Sequence, residues 1–139
     1  MLTSTKRLVY NGIVKNKTKG EHKKMAQRRM LNISVIESDR FCTMSPSAQT
    51  LYIHLVMNAD DDGFVDMWKS LLRYLSIKKT HVDTLEREGY IIIFNDGVML
   101  ITDWLLHNKI RPDRYKAGLY KDRLDHDLIL ENGRYFKAS

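Results

Sequence analysis

Two stretches of this chain concentrate side chains that bind anions. Lys78, Lys79, Thr80, His81, Thr84 and Arg87 fall within ten residues and supply ammonium, hydroxyl, imidazole and guanidinium groups. Lys109, Arg111, Arg114, Tyr115 and Lys116 form a second cluster, continued by Tyr120, Lys121 and Arg123. Lysine and arginine neutralise phosphates, and arginine also reads a guanine edge through its paired N–H donors. Hydroxyls add contacts to a sugar–phosphate backbone. Such chemistry suits a polyanionic partner.

Residues that could carry a reaction are fewer. The single cysteine, Cys42, excludes an internal disulfide and a cysteine-cluster zinc site, and only Arg40 stands near it as an activating group. His107-Asn108 would suit a metal-dependent nuclease, but His22, His54, His81 and His126 show no partner spacing with it. Asp60-Asp61-Asp62-Gly63 offers oxygen ligands, yet a calcium loop spreads them over about 12 residues and closes with a glutamate, which is missing here. That segment reads better as a turn ending one helix and feeding a strand. No glycine loop that cradles phosphate is present. The chain is therefore expected to be non-enzymatic and to use no cofactor or metal.

With 139 residues, 43% hydrophobic and 29% charged, the chain has material for one packed domain and tails. Its net charge of +6 is unevenly spread. Residues 1–30 hold nine basic side chains against Glu21 alone, which leaves 14 of the 23 basic and 16 of the 17 acidic residues for the remainder. Residues 1–24 show neither helical nor alternating periodicity and read as a disordered basic extension. Lys19-Gly20-Glu21 is compatible with a ribosome-binding sequence ahead of Met25, so Met25 is an alternative start. No apolar run approaches the roughly 20 residues that span a bilayer, and no signal-peptide core is visible. A cytoplasmic location is expected.

The elements that must hold these clusters are legible from Met44 onward. Ser45-Pro46 reads as an N-cap followed by proline at the first helical position. Ala48, Leu51, Tyr52, Leu55, Val56 and Ala59 then mark one face of a helix over 46–58. Residues 63–65 suit a short strand. A second helix is expected over 67–75, with Leu71, Leu72 and Leu75 inward and Trp68 at its edge. Thr80 and Asp83 fit a capping box, and a third helix over 81–88 stops at Gly89. Residues 90–94 and 98–102 flank Asn95-Asp96-Gly97 as a hairpin. Asp103-Trp104-Leu105-Leu106-His107-Asn108 should pack back through its indole and leucines. Residues 128–136 suit a last hairpin around Asn132-Gly133.

This order predicts an α+β, mainly α fold: a winged helix-turn-helix with a short β-hairpin wing. The expected division is 1–24 as the extension, 25–108 as the winged-helix domain, and 109–139 as a basic segment containing a helix and the small hairpin. The second helix of such a pair enters the major groove of duplex DNA, which assigns Lys78, Lys79, Thr80, His81, Thr84 and Arg87 to DNA contact and Val82 and Leu85 to the core. Asp83, Glu86 and Glu88 oppose that assignment, and an ordinary solvated helix is the alternative. The wing carries no lysine or arginine and reads as a plain turn. Lys109, Arg111, Arg114, Tyr115 and Lys116 suit backbone contact, with a merely solubilising role as the alternative.

Several segments also resemble the N-terminal domain of replisome-organiser and replication-initiation proteins of phages infecting Gram-positive bacteria. They are Met25-Ala26-Gln27-Arg28-Arg29-Met30, Ser38-Asp39-x-Phe41, Ser47-Ala48-Gln49-x-Leu51-Tyr52 and Ala59-Asp60-Asp61-Asp62-Gly63-Phe64-Val65. Gly97-Val98, Trp104, His107-Asn108-x-Ile110 and Asp113-Arg114-Tyr115-Lys116 continue the likeness, which covers roughly two-thirds of the chain. The resemblance implies binding of double-stranded DNA at a replication origin and recruitment of helicase-loading proteins of host or phage. Longer members continue into a linker and a C-terminal region, whereas this sequence ends at Ser139. A stand-alone transcriptional regulator and a protein-interaction module remain open alternatives.

Overall fold

The computed structural model describes residues 26–138, so the extension at 1–24 and Met25 lie outside it. Two short helices, α1 (Ile33–Ile36) and α2 (Asp39–Cys42), precede the central helix α3 (Pro46–Met57). Strand β1 (Phe64–Val65) is followed by α4 (Trp68–Leu75), α5 (Thr80–Arg87), β2 (Ile91–Ile93) and β3 (Met99–Ile101). Helix α6 (Trp104–His107), α7 (Asp122–His126), β4 (Leu128–Glu131) and β5 (Arg134–Lys137) complete a mixed α+β chain.

Local sequence explains the central helix. The Ser45 hydroxyl accepts the Ala48 amide, and Pro46 occupies the first turn, where its missing N–H is not needed. Ala48, Leu51, Tyr52, Leu55 and Val56 are wholly buried, as their three- and four-residue spacing requires. Phe41, Tyr52 and Tyr90 meet edge to face around this helix, with ring centroids 5.4–5.6 Å apart. A three-stranded antiparallel sheet in the order β1-β3-β2 contributes to the same core. Phe64 pairs with Leu100, and Ile91 and Ile93 pair with Ile101 and Met99.

Three local expectations are corrected. Thr80 does not cap α5. Lys79 already has helical dihedrals (φ −62°, ψ −21°) and occupies the cap position without a side-chain capping bond, and Asp83 pairs with its ammonium at 3.1 Å. Leu105 and Leu106 do not pack inward but stay 41% and 37% exposed. The four-residue α6 turns Trp104 and His107, three positions apart, to the core, which leaves the two leucines outside. Trp68 is not at an edge: it is buried and donates its indole N–H to the Gly97 carbonyl at 2.8 Å, anchoring the β2–β3 turn.

The C-terminal segment is tied back to the same body. β4 and β5 pair antiparallel around Asn132-Gly133, with Tyr135 buried and its amide on the Thr102 carbonyl. Arg134 reaches the buried carboxylate of Asp103 at 2.6 Å. The helix expected in 109–139 amounts only to the five residues of α7. Pro112 lacks a donor, and the amides of Lys116 and Gly118 go to Asp61 and Asp62 instead of to helical carbonyls. Among the described residues no helix is long and apolar enough to cross a membrane.

Candidate nucleic-acid interface

The three successive acids after α3 hold the second cationic cluster in place. Asp60 closes its own turn, its Oδ1 accepting the amides of Asp62 and Phe64 at 2.9 Å. Gly63 then needs φ +94°, and a Cβ there would lie 2.6 Å from Cγ of Trp104. Asp61 binds Arg29 at 3.0 Å through one oxygen and accepts the Lys116 amide at 3.0 Å through the other. Asp62 accepts the Tyr115 hydroxyl at 2.6 Å and the Gly118 amide at 2.9 Å. Gly118 passes so close that an added Cβ would sit 2.2 Å from Oδ2 of Asp60. The run is thus a clasp whose carboxylates face protein donors.

Burial within the clasp shifts its titrations. Desolvation pushes Asp60 up to about 6, against the two amides that favour its anion, while the charges of Asp62 and Asp61 push the same way as burial. The Tyr115 phenol is raised well above its ordinary range, first by desolvation and then by its bond to Asp62. Tyr115 therefore serves as a tether, its hydroxyl committed to protein. Lys109, Arg111, Arg114 and Lys116 keep exposed side chains, and Arg111 makes a solvent-facing pair with Asp113 at 3.0 Å. Residues 109–121 carry five cations and one acid, and Asp60, Asp61, Asp62 and Asp66 lie against the same segment.

Helix α5 differs. Val82 and Leu85 are buried as expected, and Lys78, Lys79, Thr80 and Arg87 are exposed. His81 and Thr84 are half-buried. The His81 Nδ1 lies 3.3 Å from the Ser45 hydroxyl, and Thr84 donates back to the Thr80 carbonyl. Lys79 pairs with Asp83, and Arg87 lies 3.7 Å from Glu88. Residues 78–88 hold three cations and three acids, leaving no net charge on this helix.

The two clusters sit at opposite ends of α3. His81 meets Ser45 at its start, and Lys116 bonds Asp61 just beyond its end. Its 12 residues separate those ends by about 18 Å at 1.5 Å per residue. The β2–β3 turn has no cation of its own, yet Arg123 binds Asp96 on it and lies over Phe94 and Tyr120 at 5.1 and 4.9 Å. That bond holds the Asp96 carboxyl below its usual range.

His107 and Arg29 have structural roles that sequence reasoning did not assign. His107 Nδ1 accepts the Asn32 amide at 2.8 Å, so its proton sits on Nε2, 2.7 Å from the Tyr52 hydroxyl. Burial lowers its pKa, with Asp103 opposing the shift. Asn108 clamps Met30 through both its amide oxygen and nitrogen. Arg29, grouped by sequence with the basic extension, is instead buried over the Trp104 ring and donates to the Ala59 carbonyl at 2.8 Å. Nothing in the local sequence, where Arg28 precedes it directly, separates it from the exposed cations. Among the described residues no group of three or more His, Cys, Asp or Glu side chains is placed to hold a metal.

Comparison of the chain with protein-family models, with curated proteins and with solved structures finds no match.

Proposed function

We propose that the chain is a winged-helix protein that binds duplex DNA, acting in the initiation of phage replication in the cytoplasm of a bacterial host. The observation that carries this reading is the arrangement of α4, a four-residue turn and α5 beside a β1-β3-β2 sheet whose β2–β3 hairpin supplies a wing. The exposed cations of residues 109–121 support DNA as the ligand. One duplex, in this reading, spans the two ends of α3, about 18 Å apart at 1.5 Å per residue. In this reading α5 supplies base contact through Thr80, His81, Thr84 and Arg87. Lys109, Arg111, Arg114 and Lys116 hold phosphates.

The residues that carry the family resemblance support the fold more than the contacts. Trp104 and Arg29 bond Asp61, Tyr115 bonds Asp62, and His107 and Asn108 hold the amides of Asn32 and Met30. A replication role, with helicase-loading proteins as further partners, follows from the resemblance. Footprinting of the full chain on the phage genome tests it. Protection inside a replication origin supports the proposal, and protection confined to a promoter favours a transcriptional regulator. The charge balance on α5 favours one further reading, a protein-interaction helix, which loss of partner binding in Glu86→Lys with unchanged DNA affinity would establish.

A further inference from the structure

Leu119 is 87% exposed, the most exposed of the large hydrophobic side chains among the described residues. A lone exposed leucine is ordinary. This one differs in how its neighbours are held. On one side Tyr115, the Lys116 amide and the Gly118 amide are bonded to Asp62, Asp61 and Asp62. On the other, the Tyr120 hydroxyl donates to Asp66 at 3.0 Å and its ring rests on Phe64, centroids 5.6 Å apart. The loop is therefore fixed on both flanks while its apolar tip stands in water. Lys116, three positions before Leu119, and Lys121, two after it, are exposed, with the Lys121 ammonium 5.7 Å over the Tyr115 ring, and the carboxylates of Asp61 and Asp62 are engaged by protein donors.

We propose that Leu119 is an apolar wedge that enters the minor groove of bound duplex DNA, unstacks one base step and kinks the helix, with Lys116 and Lys121 on the flanking phosphates. An exposed apolar side chain on an anchored loop, with a lysine before and after it in the sequence, suits a base step opened between two phosphate backbones, the device by which groove-bending proteins insert leucine, isoleucine or phenylalanine. The rigid mount matters, because a mobile loop would lose the insertion to its own ordering entropy. Flexible pyrimidine–purine steps are the sites such a wedge selects.

The inference rests on the DNA-binding reading, and its test separates the two. Binding of the full chain to a duplex of about 100 base pairs, shorter than the persistence length of about 150, is measured together with ligase-catalysed cyclisation of that duplex. Wild type is expected to raise the cyclisation rate at least about tenfold, as a kink in so stiff a fragment must. Leu119→Ala should abolish that gain and keep the salt dependence of binding, while Leu119→Phe retains the gain. Being exposed, the position should leave the melting temperature unchanged in both variants. Binding by wild type without faster cyclisation, or a Leu119→Ala variant that cyclises DNA as well as wild type, overturns the wedge and leaves DNA binding standing. No binding at all overturns both.

Discussion

Replacing Tyr115 with phenylalanine removes a single oxygen from the clasp and keeps the ring. That oxygen donates to Asp62 at 2.6 Å, and Asp62 is only 6% exposed, so water cannot readily take its place. A hydrogen bond to a charged group contributes about 1.5–3 kcal/mol. Tyr115 is half-buried and Asp62 keeps the Gly118 amide, which places the loss in the lower part of that range, about 1.5–2 kcal/mol. At roughly 4 °C per kcal/mol for a domain of this size, the melting temperature should fall by about 6–8 °C. Urea denaturation should show a lower midpoint at constant m-value. In a cycle with Asp62→Ala, the coupling should be about 1–2 kcal/mol. DNA affinity should fall as well, with the salt slope unchanged, because Tyr115 positions the loop and neutralises no phosphate. A stability loss under about 0.5 kcal/mol with no coupling to Asp62 would refute the clasp.

Other consequences follow from the same contacts. Gly63→Ala combines a left-handed backbone, about 1–2 kcal/mol, with overpacking against Trp104, about 1–3 kcal/mol, so denaturation should show a loss of about 2–5 kcal/mol. Asp60 binds its proton more tightly folded (about 6) than unfolded (3.8), so its contribution to stability is complete below pH 4 and disappears as pH rises through 6. Asp60→Asn keeps an oxygen acceptor for Asp62 and Phe64, and should flatten that part of the stability–pH curve. His107 has the opposite sign: its folded pKa lies below 6.5, so its contribution holds above that pH and is lost as pH falls. Protonation needs Nδ1, so exchange of the Asn32 amide, relative to its intrinsic rate, should accelerate with acidification in the wild type.

Elements set by local signals were legible in the sequence. Ser45-Pro46 and the stripe from Ala48 to Ala59 marked α3 to within a residue, and Asn95-Asp96-Gly97 between two β-branched runs marked the hairpin. Long-range pairings were not legible. Nothing local to Asp62 names Tyr115, 53 positions away, and nothing local to Asn32 names His107, 75 away. The helices α1 and α2 passed unnoticed because each is four residues long, too short to show a period, although Asn32 and Ser38 do cap them. The basic run 109–123 suggested a helix because its cations are good helix formers, but the clasp claims its backbone amides first. Of the candidate site, the exposure of Lys109, Arg111, Arg114 and Lys116 matched their charge, whereas the tethering role of Tyr115 required knowing where Asp62 lies.

The most direct test of DNA binding by the folded body is the affinity of the full chain for a random duplex as a function of salt concentration. Each phosphate contact contributes about 0.9 to the slope of log K against log salt. Joint replacement of Lys109, Arg111, Arg114 and Lys116 by alanine should lower the affinity and make that slope shallower by about 3–4, with Lys78 and Lys79 together accounting for about a further 2. A slope that neither set of substitutions changes, or no binding at low salt, would contradict the account.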